Sequence, residues 1–490
     1  MDFTLEEIIK ATGAKIIKNE TVKNDKFTFS TDTRTIKEGE IYLPLKGENF
    51  DGEKFIDKAL ESGAIGFFLT KQRIEAKSKK QKAKSDDNTF GLLPFAFCSK
   101  NQPSLVLQVE DTLTAYLELA SFYKNKVNPK TVAITGSSGK TTTKEMAYCV
   151  ASEKFKTHKS ELNFNNEIGL CKTILSMPIN TKVLVLEMGM RGLGEIELLS
   201  KYSTPDITII ANVGTAHIGR LGSRENIAQA KCEIVKHQKE GGTIIAHDDE
   251  LIKKTLEAKS KKQKVKSKDN TFGILPLAFY PTYFSLNDVK ILAHSVGYSK
   301  FVYKNNEYEL NIEGDYNIQN ALAAIEMGLV LGLKPSEINK GLKKYLPLEK
   351  RWEIEEIKGF KIINDSYNAN PESVKASLKT FLELYSPPLL VVLGDMAELG
   401  DRELEYHKEI GEFLAKKLET LKNVKLITVG KLANEITLKL NEHNIFSKNF
   451  DTNLQTSRYI LDNMENGTTI ILKASRSMKF EEIINKLKDE

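Results

Sequence analysis

Cysteine is sparse in this sequence, with four in 490 residues: Cys98, Cys149, Cys171 and Cys232. Their spacing fits neither a disulfide framework nor a tetrahedral metal site, so a reduced protein is expected. Long apolar runs are missing too, since none approaches the roughly eighteen residues that span a bilayer. The opening Met1-Asp-Phe-Thr-Leu-Glu-Glu is acidic where a secretory signal would be basic. Nothing recurs at a solenoid period. These absences predict a cytoplasmic protein with no membrane span. The remainder is ordinary globular composition, 40% apolar and 28% charged. Its length calls for about three domains.

The net charge of +5 is unevenly spread. Residues 76–97 and 258–279 match at 18 of 22 positions and carry +3 and +5, so the rest of the chain carries −3. Each copy has a Lys/Ser-rich half and then a short apolar half. A pair of basic tethers for nucleic acid or membrane is one reading. Duplicated insertions tolerated in two surface loops are the other. The lysines lack interleaved aromatics, which favours insertions and no nucleic-acid partner. They begin where helix patterns end, at Arg73-Ile-Glu-Ala and Leu256-Glu-Ala, so their lysine halves are expected to be exposed.

The stretch Thr131-Val-Ala-Ile-Thr-Gly-Ser-Ser-Gly-Lys-Thr-Thr-Thr143 organises the rest. An apolar β-type run feeds a glycine turn, and the residues from Thr141 to Val150 read as a helix. Gly136 and Gly139 allow backbone N–H groups, with those of Ser137 and Ser138, to turn inward around phosphates. The helix directs its positive end to the same place. Lys140 would reach the β- and γ-phosphates, and the Thr141 or Thr142 hydroxyl would sit on Mg²⁺. The usual spacing wants a glycine where this chain has Ile134, so the loop is a shortened variant. Its strand–loop–helix setting identifies an ATP site.

Residues 1–125 read as a small α/β domain, with a helix near Leu5–Ile9 and strands at Lys26–Arg34, Ala64–Leu69 and Ser104–Val109. The polar run Lys124–Lys130 reads as a linker. Residues 126–347 read as a parallel sheet flanked by helices, with strands at Val132–Thr135, Val183–Glu187, Ile207–Asn212, Thr243–Ala246 and Val289–Ala293. Ligands collect at the carboxyl ends of such strands. Glu187 ends one of them, as a hard oxygen ligand for Mg²⁺ or as a helix cap. His217 follows another, as a ligand or a satisfied loop histidine. Lys231, by pattern alone, is a solvated helix lysine. Residues 348–490 form a doubly wound, Rossmann-like third domain, with a hairpin at Glu353–Ile357 and Phe360–Asn364. Its polar loops follow Asn364, Leu393 and Leu472.

These phrases, with Asn163-Phe-Asn-Asn-Glu-Ile-Gly169, Asn212-Val-Gly-Thr-Ala-His217 and Gly314-Asp-Tyr-Asn-Ile-Gln-Asn-Ala-Leu322, resemble the Mur ligase family of peptidoglycan synthesis. The resemblance spans nearly the whole chain outside the two inserts. Asp365-Ser-Tyr-Asn-Ala-Asn-Pro371, Leu393-Gly-Asp-Met-Ala-Glu-Leu-Gly400 and Lys473-Ala-Ser-Arg-Ser-Met478 place it nearest the last step of that pathway. The substrates so implied are UDP-N-acetylmuramoyl-tripeptide, D-alanyl-D-alanine and ATP, joined through an acyl phosphate by a monomeric, cytoplasmic enzyme. The resemblance makes Glu187 and His217 magnesium ligands. It also makes Lys231 a lysine that some members carbamylate, able then to hold a second Mg²⁺. Asn317 and Asn320 match adenine contacts, and Arg351 and Asp365 match nucleotide contacts. Ser30, Asp32, Arg34, Lys46 and Asn49 resemble a UDP-sugar site, and Asn165 and Asn166 fall among the implied substrate contacts. The chain departs from the family pattern at Tyr316, Lys350, Asn364 and Ala474, where His, Gly, Asp and Gly are common. A folate-type glutamate ligase and a non-catalytic relative are the rival readings.

Overall fold

A computed structural model describes residues 2–20, 26–47, 50–73, 102–268 and 281–489, without the side chains of 261–268. The first insert and the apolar half of the second lie outside these residues. Two compact units are formed, Met1–Pro129 with Glu167–Thr181, and Lys130–Asn166 with Lys182–Glu490. Among the described residues no helix is long and apolar enough to cross a membrane.

The first unit is a five-stranded sheet of β1 (Lys15–Asn19), β2 (Phe29–Ser30), β3 (Ile41–Tyr42), β6 (Gly66–Thr70) and β7 (Leu105–Val109), in the order β1-β7-β6-β3-β2. A short hairpin, β4 (Lys46–Gly47) with β5 (Phe50–Asp51), stands beside it. Its first helix, Leu5–Thr12, starts on a capping box in which Thr4 and Glu7 satisfy each other's backbone N–H groups. The strand expected over Lys26–Arg34 shrinks to one bridge, Phe3 with Phe27, and the two residues of β2. Beyond Ser30 the Ser30 and Asp32 side chains bond nearby backbone N–H groups and compete with a sheet ladder. The expected linker is mostly helix, because Thr112–Val127 continues past Tyr123 with Lys124 buried. The chain turns only at Asn128, in the left-handed region at φ 52°.

In the second unit, β8 (Lys130–Thr135), β9 (Thr157–Lys159), β10 (Val183–Glu187), β11 (Ile207–Ile210), β12 (Thr243–His247) and β13 (Thr282–Phe284) form one parallel sheet, ordered β13-β12-β11-β8-β10-β9. Val132, Ala133 and Ile134 are wholly buried at its centre, as a strand covered on both faces requires. The order reverses at β8, so the loops after β8, β10 and β11 open at a topological switch point. Register puts Glu187 level with Ile134 and Ile210 level with Thr135. Edge strands β9 and β13 escape a sequence reading because each is only three residues long. The strand expected at Val289–Ala293 is real but lies elsewhere. As β14 (Val289–Ser295), it joins β15 (Tyr298–Tyr303) and β16 (Asn306–Leu310) in an antiparallel sheet. The tight turn at Gly297 dictates that pairing.

The last sheet contains β17 (Glu353–Ile357), β18 (Phe360–Asn364), β19 (Leu389–Gly394), β20 (Val424–Val429), β21 (Ser447–Phe450) and β22 (Thr469–Lys473). Their order is β17-β18-β22-β19-β20-β21, parallel except for β17. Because β18, β22 and β19 are neighbours, the three polar loops that follow them leave one sheet edge side by side. The second insert gives a further correction. Helix Glu250–Lys268 runs on through its lysine half, which holds no glycine or proline to stop it. Lys259 there is half-buried, and burial lowers its pKa.

Candidate active site

The chain leaves β8 at Gly136 and enters helix Lys140–Ser152 after Gly139, whose φ is 74°. A Cβ on Gly139 would collide with the amide of Asn320. Both the backbone conformation and the close approach therefore require glycine. The loop is braced by Asn212, two residues past the end of β11. Its Oδ1 accepts from the N–H groups of Ser137 and Ser138 at 3.0 and 2.9 Å, and its Nδ2 donates to Ser138 O at 3.0 Å. In the sequence Asn212 stands out only as the first residue of the phrase Asn212–His217, with no role assigned to it. Its place as the first polar residue after an apolar strand, opening that phrase, is the signal that could have assigned one.

Two lysines converge on this loop. Lys140 Nζ and Lys231 Nζ each donate to the Gly136 carbonyl at 2.8 Å. Neither forms an ion pair with a carboxylate among the described residues. Burial lowers the pKa of both, that of Lys231 well below 10.5, with the Lys140 charge adding to the effect. Lys231 is 1% exposed, which overturns its reading as a solvated helix residue. Helix Arg224–Lys231 turns the face of Ile227, Ala228 and Lys231 inward.

Glu187 is 4% exposed, and its Oε1 accepts from Asn165 Nδ2 at 3.0 Å. Its Oε2 has no hydrogen bond, with the Lys144 ammonium 3.8 Å away. Asn166, the next residue along, is exposed. Thr141 and Thr142 are buried at the helix start. His217 takes a left-handed conformation, φ 67°, with Nδ1 2.6 Å from Glu398 Oε2, close but off the hydrogen-bond line. The His217 ring holds the Glu398 carboxyl below its usual range. Among the described residues no three His, Cys, Asp or Glu side chains converge as round a metal ion.

Asn317 and Asn320 are buried in helix Asp315–Val330. Asn317 Nδ2 donates to Glu313 O at 2.6 Å, and Asn320 Oδ1 accepts from Thr143 at 3.3 Å. Arg351 lies over the Tyr367 ring at 3.9 Å. Asp365 is held by Lys473 at 2.7 Å and Ser377 at 2.6 Å. Besides His217 with Glu398, contacts that join the part built on β8 to that built on β18 include Thr215 to Glu372 at 2.7 Å, Gly219 N–H donating to Glu398 O at 3.1 Å, and the packing of Gly219 on Gly400. In the first unit, Arg34 grips Asp32 with two nitrogens and holds its carboxyl at about 2. Ser30 Oγ donates to Asp32 O at 3.0 Å, and Lys46 is exposed on β4. Asn49 lies outside the described residues.

The Mur ligase middle domain matches residues 134–328, and the Mur ligase, glutamate ligase domain matches 350–476. A UDP-N-acetylmuramoyl-tripeptide–D-alanyl-D-alanine ligase of Bacillus subtilis is 36% identical, covering 99% of this chain and 97% of its own. The chain belongs to the Mur ligase family. The Escherichia coli ligase of the same description is 29% identical over 94% of this Mur ligase and 93% of its own length. Among solved structures, MurF from Acinetobacter baumannii shares the fold, with a TM-score of 0.82 at 24% identity over 100% and 99% of the two chains. MurF ligase from Thermotoga maritima, in complex with ADP, has a TM-score of 0.74 at 26% identity over 94% and 97%.

Three of the four departures of this Mur ligase from the family pattern have local explanations, and nothing in the structure explains Tyr316, whose buried hydroxyl has no hydrogen bond. Lys350 has φ 60°, which is why glycine suits the position. Its side chain offsets that strain with contacts to Glu349 and Glu481, each at 3.3 Å. Asn364 accepts from Ser366 Oγ at 2.7 Å. Ala474 is fully buried, and its methyl would lie 2.7 Å from a Cβ on Gly394, so one of that pair must be glycine.

Proposed function

We infer that this Mur ligase joins D-alanyl-D-alanine to UDP-N-acetylmuramoyl-tripeptide with conversion of ATP to ADP, a step of peptidoglycan precursor synthesis. Relatives of that description, matched over 99% and 93% of the chain, support the substrates. The observation that carries the ATP-dependent chemistry is the pair of buried lysines on one carbonyl at a helix N-terminus. Two buried amines without a carboxylate partner suit a polyphosphate on Lys140 and a carbamate on Lys231.

Lys140 and the loop amides bind and orient the phosphates. The peptide carboxylate attacks the γ-phosphorus, giving an acyl phosphate and ADP. The dipeptide amine then attacks the acyl carbon, and phosphate leaves. We assign Ser30, Asp32, Arg34, Lys46 and Asn49 to the UDP-sugar, and Asn165 and Asn166 to the peptide substrate. Asn317, Asn320, Arg351 and Asp365 are assigned to the nucleotide. The division into domains 1–125, 126–347 and 348–490 belongs to the same proposal.

The residues present fit one or two magnesium ions. Glu187 Oε2 is a buried carboxylate oxygen with no donor, and Glu398 lies beside His217 Nδ1, where a carboxylate commonly stands against a metal-binding imidazole. Thr141, Glu187, His217 and, once carbamylated, Lys231 would hold them. Bound there, Mg²⁺ neutralises charge on the transferring phosphoryl group.

The test is phosphate release by purified protein given ATP, the UDP-tripeptide and D-alanyl-D-alanine, with the pentapeptide product identified by mass. Phosphate release that ignores both acceptor and dipeptide, with no product, would refute the assignment.

A further inference from the structure

Lys144 lies one helical turn after Lys140 and is fully buried in a place where lysine is costly. Its Nζ lies 3.1 Å from Glu145 Oε1, 3.8 Å from Glu187 Oε2 and 3.5 Å from the Leu162 carbonyl. Glu145 is anchored on its other oxygen by Lys159. Charges therefore alternate along Lys159, Glu145, Lys144 and Glu187, and Asn165 closes the row on Glu187 Oε1. Leu162 and Asn165 belong to one loop, 161–166, so Lys144 touches both the carboxylate and the loop beside it. The asymmetry matters most. Glu145 draws the ammonium towards itself and off Glu187, whose Oε2 is left without a hydrogen bond.

We propose that Lys144, drawn aside by Glu145, is a positioning residue that sets how strongly Glu187 binds a divalent cation and fixes the loop carrying Asn165. The proposal rests on the reading of Glu187 as a magnesium ligand. A buried ammonium beside a carboxylate opposes a second cation there, and the opposition grows as the ammonium approaches. Glu145 thus tunes the site through Lys144. A buried ion pair that only filled space would leave cation binding alone.

The experiment measures Mn²⁺ binding by electron paramagnetic resonance on full-length protein saturated with a non-hydrolysable ATP analogue. Lys144→Met should tighten Mn²⁺ binding roughly tenfold, and Glu145→Gln should weaken it by a similar factor, since the ammonium then moves onto Glu187. Lys144→Arg, which keeps the charge, should stay within about threefold of the parent. Unchanged binding, or the same sign in the first two variants, overturns the proposal. If Lys144→Met does not fold, Glu145→Gln decides alone: weakened Mn²⁺ binding upholds the proposal, and unchanged binding overturns it. Glu187→Gln separates the two readings, because Mn²⁺ binding that ignores it removes Glu187 from the metal site altogether.

Discussion

Lys140 and Lys231, 91 positions apart in the sequence, place their ammonium groups on the same carbonyl oxygen, that of Gly136, at 2.8 Å each. The like charges approach one another where water is scarce, and burial lowers both pKa values. Without an anion the arrangement is destabilising. A polyphosphate on Lys140, or carbamylation of Lys231, would relieve it.

Stability and turnover should therefore move in opposite directions at Lys231. Lys231→Met removes an uncompensated buried charge and should stabilise the unliganded protein by about 1–3 kcal/mol while abolishing most turnover. The pH dependence has a definite sign. The folded pKa lies below the unfolded 10.5, so between the two the unfolded chain holds the extra proton and unliganded stability rises with pH. Denaturant titrations across that range should show a shallower rise in the variant. Lys231→Ala should recover part of its activity with short carboxylic acids that replace a carbamate, and full activity without them would dismiss the carbamate.

Lys140→Ala should lower turnover by roughly 10²–10³-fold with an unchanged circular-dichroism spectrum, because the lost ammonium faces charge that develops during phosphoryl transfer. Turnover near the parent's would remove the loop from the mechanism.

Asn212 tests the brace. Asn212→Ala deletes three hydrogen bonds to the phosphate loop but leaves Lys140 in place. The KM for ATP should rise about tenfold or more, with a smaller change in the KM for D-alanyl-D-alanine. Equal rises for both substrates would indicate general unfolding rather than loss of the loop.

His407 is wholly buried, with Nδ1 2.6 Å from Glu403 O and Nε2 accepting from Met396 N at 2.9 Å. It thereby fixes the loop that carries Glu398. Nε2 can accept only while the ring is neutral. Burial lowers its pKa from 6.5, against the opposing pull of Asp395, Glu403 and Glu435. The unfolded chain thus protonates first as acid is added, and stability is full above 6.5 and falls below it. His407→Gln should flatten that fall between about pH 7 and pH 5 in urea titrations. A slope identical to the parent's would assign acid sensitivity to other groups.

The sequence by itself determined the glycine loop after β8, the helix behind it and the strands read as ending at Glu187, Asn212, Asn364, Leu393 and Leu472, each within two residues of its end in the structure. Those features are local: apolar runs of strand length, glycines where the backbone must turn, and polar residues where burial ends. The second insert misled at its start, because a lysine-rich stretch without glycine or proline continues a helix as readily as it starts a loop. Only the tertiary structure decided which polar side chains face the loop. Lys231 looks like any surface lysine of a short helix until that helix packs against Gly136. Asn212 is merely the first polar residue after a strand until β11 lies beside β8 and its amide meets Ser137 and Ser138. Lys144 is one more lysine until Glu145 and Glu187 close around it. Side-chain burial and charge partnership depend on segments dozens of residues apart. Local periodicity carries no record of which segments those will be.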